Sequence, residues 1–329
     1  MKKMFKTLCM LSGIFIIIGA VVFSIGFLGS DLKFKNLSHL TTKAYAYTES
    51  VQTAGTEIDK ITIAYESNAN VRIIFSDTAT EISASYERVM TKNGKSAGTV
   101  TLTDTDGHLQ IKETRSWKEK FRAQTWSNIF AQVNVNVTLP ADRTYEIAIY
   151  TDTGDVSFEG AACHLTSLTI IGDTTDIYLQ NTDIVCVDNA KLETDTGDIK
   201  IGTLTAKNVS IETDTGDVEL KGDLFAETLQ IECDTGDCEI FGNLTAKNVR
   251  IETDTGDVEM EDNAILDSER IVIETDTGDV GVKLAGTLLD YSIYVSVDTG
   301  KCNVSSLEAG ARKLTINVDT GDVYVAFEK

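Results

Sequence analysis

One tetrapeptide, Asp-Thr-Gly-Asp or a near variant, begins at Asp152, Asp173, Asp195, Asp214, Asp234, Asp254, Asp276, Asp298 and Asp319. Successive copies lie 19 to 22 residues apart, and the first Asp and the Thr are present in all nine. Gly is replaced only by Thr175, and the second Asp only by Lys301. A constant corner with variable spacing between corners is the mark of a chain that stacks equivalent units. Residues 204–220 recur forty positions later as 244–260, differing only at Ser210/Arg250 and Leu220/Met260, so one duplication spans two units.

Around each corner, side chains alternate. Val209, Ile211, Thr213, Val218 and Leu220 take one side, and Ser210, Glu212 and Glu219 the other. Period two means half-buried strands. Two short strands with one apolar face each cannot close a core, but copies stacked ~4.8 Å apart form continuous sheets around an apolar interior, and nine would rise roughly 40 Å. The sequence predicts an all-β solenoid of about nine coils over 150–329, with Val218, Ile231, Val258 and Ile273 inward and Glu219 solvated.

The acidic excess is confined to the same region. The formal net charge is -22; residues after 150 hold 12 basic and 37 acidic side chains, against 17 and 14 before. That sign argues against nucleic acid as a partner. Thr7 to Ser30 carries no charge and follows Lys2, Lys3 and Lys6. Some 20 apolar residues suffice to span a bilayer. Residues 1–30 therefore read as a cytoplasmic tip and single-pass transmembrane helix in the cell membrane, with a cleaved signal peptide as the alternative, 31–55 as a tether, 56–149 as an N-terminal β region, and the bulk as extracytoplasmic.

The corner admits two readings. Gly accepts a left-handed backbone, and Asp and Thr side chains bond nearby amides in tight turns, so turn chemistry alone accounts for it. Stacking also places Asp214, Asp234 and Asp254 in one column and Asp217, Asp237 and Asp257 in another. Ca²⁺ takes six to eight oxygens and would offset the repulsion, making these six residues the candidate metal ligands; no other cofactor is implied. Asp-Thr-Gly in nine copies does not suit an aspartic protease, which uses one pair. Three His at unrelated positions and no phosphate loop leave no enzyme signature. Asp104-Thr-Asp-Gly107 reads as a hairpin turn, and Cys233 and Cys238, flanking one corner, read as small buried side chains with a bridge as the alternative. The segment Arg115–Phe130, carrying Trp117, Phe121 and Trp126, is the aromatic and cationic island of the chain and a candidate partner contact.

The order of apolar anchor, Ile61-Thr-Ile-Ala-Tyr65, Val71-Arg-Ile-Ile-Phe75, Val133-Asn-Val-Asn-Val-Thr-Leu-Pro140 and corner repeats from Tyr150 resembles a bacterial family of adhesin-like proteins of unknown function with β-strand repeats. The resemblance implies a right-handed β-helix at the cell envelope and no established reaction. It points to a non-catalytic surface interaction protein touching an envelope protein or surface polymer. The alternatives are an accessory of an envelope-stress sensor and a polysaccharide-processing β-helix enzyme.

Overall fold

The computed structural model describes residues 58–87, 99–114, 132–261 and 263–328, with the backbone of Val51 and Gln52. The anchor, most of the tether and the island with Trp117, Phe121 and Trp126 lie outside the described residues. Among those described, no helix is long and apolar enough to cross a membrane.

The coils from Asp152 to Asp254 each have three extended runs, one more than the alternation suggests. The Asp214 coil begins with Asn208–Thr215, turns through Gly216 and Asp217 into Val218–Leu220, and turns again at Gly222 and Asp223. The third run opens Leu224–Thr235, which continues into the long strand of the next coil. A run of two or three residues is too short to show a period of its own, which hides it in the sequence. Ile211 stacks on Ile231, Ile251 and Ile273 in parallel register, and Val218 on Cys238 and Val258. Val218, Ile231, Val258 and Ile273 are fully buried, as expected. Complete burial of one such side chain contributes about 2 kcal/mol, and the stack repeats it in every coil.

Several polar groups in this interior bond to the coil beneath, while Thr151 and Thr194 bond within their own coil and Thr175 Oγ1 has no partner. Thr213 Oγ1 donates to the Gly197 carbonyl at 3.2 Å, and Cys233, in the equivalent position, donates from Sγ to Gly216 at 3.2 Å. Thus Cys replaces Thr without losing the donor. Cys233 and Cys238 are both buried free thiols, so the corner bridge is not formed, and burial pushes the Cys233 thiol up to about 12.

At the base, the long strand Lys60–Ser76 acts as a further coil, its two halves pairing with Thr144–Thr153 and Val156–Gly160 of the Asp152 coil. Thr144–Thr153 itself runs across residue 150. The hairpin Thr99–Thr105 and His108–Thr114 turns at Asp106 and Gly107, both with positive φ, as the Asp104 motif predicts. The strand His108–Thr114 pairs in parallel with the base coil, and antiparallel Thr99–Thr105 pairs with its other edge and becomes the outer strand there.

At the other end the coils are not in chain order. Arg312–Thr320 of the Asp319 coil stacks directly on Leu266–Thr277, and Tyr291–Thr299 of the Asp298 coil stacks outside it. The ninth coil is therefore inserted between the seventh and the eighth, contrary to sequential stacking. Glu274 lies beside Asn317, whose side-chain amide donates to it at 3.1 Å, and Asn317 lies beside Ser296. Neighbouring parallel positions fall within the Cα separation that a disulfide tolerates. In a background without native cysteines, a Glu274→Cys/Asn317→Cys pair should oxidise readily and a Glu274→Cys/Ser296→Cys pair should not. Mass spectrometry reads this directly, and the reverse pattern would restore sequential order.

Candidate functional site: the aspartate corner

The corner glycine is required twice over. Gly236 has φ 148°, and a Cβ there would lie 2.0 Å from the Gly216 carbonyl oxygen of the coil beneath. No side chain fits that gap. The exception explains itself: Thr175 keeps negative φ and turns its side chain inward, over Gly172, where every other coil carries a larger residue. A Cβ on Gly172 would stand 2.2 Å from Thr175 Oγ1, so the two departures compensate each other.

The two aspartates of the motif do different work. The second forms a ladder. From Asp176 through Asp198, Asp217, Asp237, Asp257 and Asp279 to Asp322, Oδ1 of each accepts the backbone N–H of the corresponding residue in the next coil at 2.7 to 3.1 Å. At the base, Asn70 Oδ1 accepts from the Asp155 N–H. At the top, Asp322 accepts from the Lys301 N–H at 2.8 Å. No such bond joins Asp155 to Asp176, and that missing rung falls at the Thr175 corner. Lys301, the one substitution of the second Asp, belongs to the last coil in space, where no further coil needs an acceptor. Coil order thus accounts for an irregularity that chain order leaves unexplained.

The first aspartate carries no such duty. Asp195, Asp214, Asp234, Asp254 and Asp276 are exposed and, among the described residues, make no hydrogen bond or ion pair. They share one column, because the flanking Thr213, Cys233 and Thr253, and Thr215, Thr235 and Thr255, are in register. Slight desolvation, then repulsion from Asp254 and Asp214, raises the Asp234 carboxyl from its ordinary value. A parallel column of Glu193, Glu212, Glu232, Glu252 and Glu274 runs alongside. Its ends are neutralised by Lys191, which pairs with Glu193, and by Arg250, which pairs with Glu252 and Glu274 at 2.6 and 2.5 Å. Desolvation, with repulsion from Glu193 and Glu232, raises the Glu212 carboxyl in the middle.

At one position the stack avoids like charges, although Glu219, Glu239 and Glu259 stack in register on the short face. At the third bend, Asp188, Lys207, Glu227, Lys247 and Glu269 follow one another up the axis with alternating sign. On the short face Glu219 is only 9% exposed, not solvated as its place in the alternation suggests. Burial alone would raise its carboxyl, but ion pairs with Lys200, at 2.6 Å, and Lys221 hold it below the usual range. A second amide ladder at the Gly222 bend, Asp223 to Asn243 to Ile265, went unread in the sequence because its motif, Gly followed by Asp or Asn and Leu, is short.

Of the six candidate ligands, Asp217, Asp237 and Asp257 are therefore committed to backbone donors through Oδ1, while Asp214, Asp234 and Asp254 stand free in front of them. Among the described residues no three His, Cys, Asp or Glu side chains are gathered into a group that could hold a metal ion.

A model of the family described as Toastrack DUF4097 matches residues 58–326, from the base strand to the last coil. The chain belongs to the Toastrack DUF4097 family. Among solved structures it is similar to a protein of Bacteroides fragilis NCTC 9343 provisionally described as an adhesin, with 14% identity, a TM-score of 0.40, and coverage of 87% of this chain and 99% of that one. A provisionally described cell adhesion protein of Clostridium sporogenes ATCC 15579 shares 8% identity at a TM-score of 0.22, covering 86% and 100%. A provisionally described lipid binding protein of Parabacteroides distasonis ATCC 8503 shares 12% at 0.37, covering 87% and 99%. No curated protein matches this sequence.

The ladder is testable by separating charge from acceptor. Asp237→Asn keeps an oxygen on the Asp257 N–H, as Asn70 does at the base, whereas Asp237→Ala removes it. A hydrogen bond to a charged group is worth ~1.5–3 kcal/mol, less at an exposed corner, so alanine should cost about 1 kcal/mol more than asparagine in urea unfolding. Equal stability of the two variants would remove the ladder from the energetics.

Proposed function

We propose that the chain is a non-catalytic interaction protein of the cell envelope, anchored by Thr7–Ser30 with its solenoid outside the membrane, and that the outer aspartate column is its contact face for a cationic partner. One observation carries the reading. The first Asp occurs in all nine corners, is exposed in all nine, and has no structural bond at the central ones, while like-charge stacking makes it a cost to the fold. The alternating third bend shows that the stack can accommodate a column of alternating sign. An acidic edge of this kind attracts a basic protein segment or cationic surface polymer, and speeds its encounter, through the field of many carboxylates rather than one pocket. Ca²⁺ is the small-ion alternative for the same edge, with Asp214, Asp234 and Asp254 as its oxygen donors.

The variant Asp214→Asn/Asp234→Asn/Asp254→Asn separates these contributions. Its melting temperature at neutral pH should equal or exceed that of the parent. Because the Asp234 carboxyl is raised in the fold, the stabilisation that goes with its protonation is present at low pH and lost as pH rises through the raised value. The difference between variant and parent should therefore shrink as the pH is lowered through the carboxylate range. Binding of oligolysine to the parent, measured at matched ionic strength, should fall sharply in the variant. A melt raised by Ca²⁺ beyond a NaCl control, and only in the parent, would assign a specific ion to the edge. Undiminished oligolysine binding by the triple variant would move the contact face elsewhere.

A further inference from the structure

The displaced eighth coil builds a second surface, independent of the acidic edge. After its corner the chain does not complete the coil. It returns through residues 303–311 along the free edge of Tyr291–Thr299, where Leu307 and Ile293 exchange backbone hydrogen bonds at 2.7 and 2.9 Å. Ser306 Oγ accepts the Val295 N–H, and Ser292 Oγ donates to the Gly310 carbonyl. Gly310 fits closely, since a Cβ there would meet the Asp290 backbone at 1.9 Å. The return loop is thus tied at both ends, and with the two outermost strands it encloses an open groove of about 360 Å³.

The groove combines groups that the fold leaves unused. Tyr294 is 59% exposed, beside Thr315 in the strand register, with Lys313 beside Ser292 and Glu308 on the loop. Among the described residues, the side chains of Tyr294, Glu308, Lys313 and Thr315 have no hydrogen-bond or ion-pair partner. Glu308 and Lys313 line the same groove without pairing, which leaves a carboxylate acceptor and an ammonium donor facing one ligand. The volume is at the small end of ligand sites.

We propose that this groove is a saccharide-binding site. A pyranose offers a face of C–H groups for the Tyr294 ring, hydroxyls that donate to Glu308, and oxygens that accept from Lys313 and Thr315. An aromatic ring beside a few aimed polar groups is the arrangement such a ligand requires. An extended peptide fits less well, because the return loop already occupies the edge of Tyr291–Thr299 at Ile293 and Val295 through which a strand would be added.

Titration of the full chain with cellotriose and with the N-acetylglucosamine trimer, followed by calorimetry, tests this, with tetraglycine as the peptide control. The expected result is saturable binding of at least one saccharide, weakened about tenfold by Tyr294→Ala and retained by Tyr294→Phe. Glu308→Gln, on the exposed loop, should weaken it with an unchanged circular dichroism spectrum, which guards against a loss caused by unfolding of the end. The triple asparagine variant of the acidic edge should bind as the parent does. Failure of both saccharides to saturate at millimolar concentration, binding indifferent to Tyr294→Ala, or preference for tetraglycine would each overturn the proposal.

Discussion

A carboxylate on one coil accepting the backbone N–H of the next is the interaction on which this solenoid rests. A tight corner in a parallel stack leaves an amide at each bend outside the strand ladder, which a side chain or water must satisfy. The second Asp of the motif supplies that acceptor from Asp176 to Asp322. Magnitudes decide that the arrangement is favourable. Two unit charges ~4.8 Å apart in water repel by about 0.9 kcal/mol before salt screening, whereas the charged hydrogen bond is worth ~1.5–3 kcal/mol. The rung outweighs the repulsion at the second Asp. At the first Asp of the corners from Asp195 to Asp276 only the repulsion is present, and this asymmetry separates the structural half of the motif from the half available for contact.

The same constraint governs the ends. A ladder of acceptors must start from a residue that accepts without needing a coil beneath and stop at one that needs no acceptor above. Asn70 does the first through its side-chain amide oxygen, and Lys301 does the second. The inversion of the last two coils follows the same logic: Asp322 can take the interior place because it offers Oδ1 to Lys301, whereas Lys301 in that place would offer nothing.

Much of this architecture was legible in the residues. The nine corners, the period-two alternation and the inward set from Val218 to Ile273 lead directly to the stacked sheets, and the Asp104 turn leads to the hairpin at the base. What was not legible depended on three-dimensional order. Coils eight and nine carry near-identical patterns, so no local signal tells which is outermost except Lys301, whose meaning appears only once the amide ladder is known. The third run of the coils from Asp152 to Asp254 is too short to carry a period, and Glu219 takes an outward position that two lysines then cover. The two aspartates of each corner look equivalent in sequence because both are turn acids; the amide ladder, which uses only the second, distinguishes them. Tyr294 carries no signal of its own, because a lone tyrosine in an alternating strand gains its setting only when the return loop lies beside it.

Residue-resolved amide hydrogen exchange tests the central claim most directly. In the parent protein the N–H groups of Asp217, Asp237, Asp257, Asp279 and Lys301 should be protected to the same degree as the strand amides beside them, although they lie at exposed corners. In Asp237→Ala the Asp257 amide should lose protection while the Asp217 amide, held by Asp198, keeps it. Corner amides that exchange at loop rates in the parent, or an Asp257 amide indifferent to the substitution, would contradict the account.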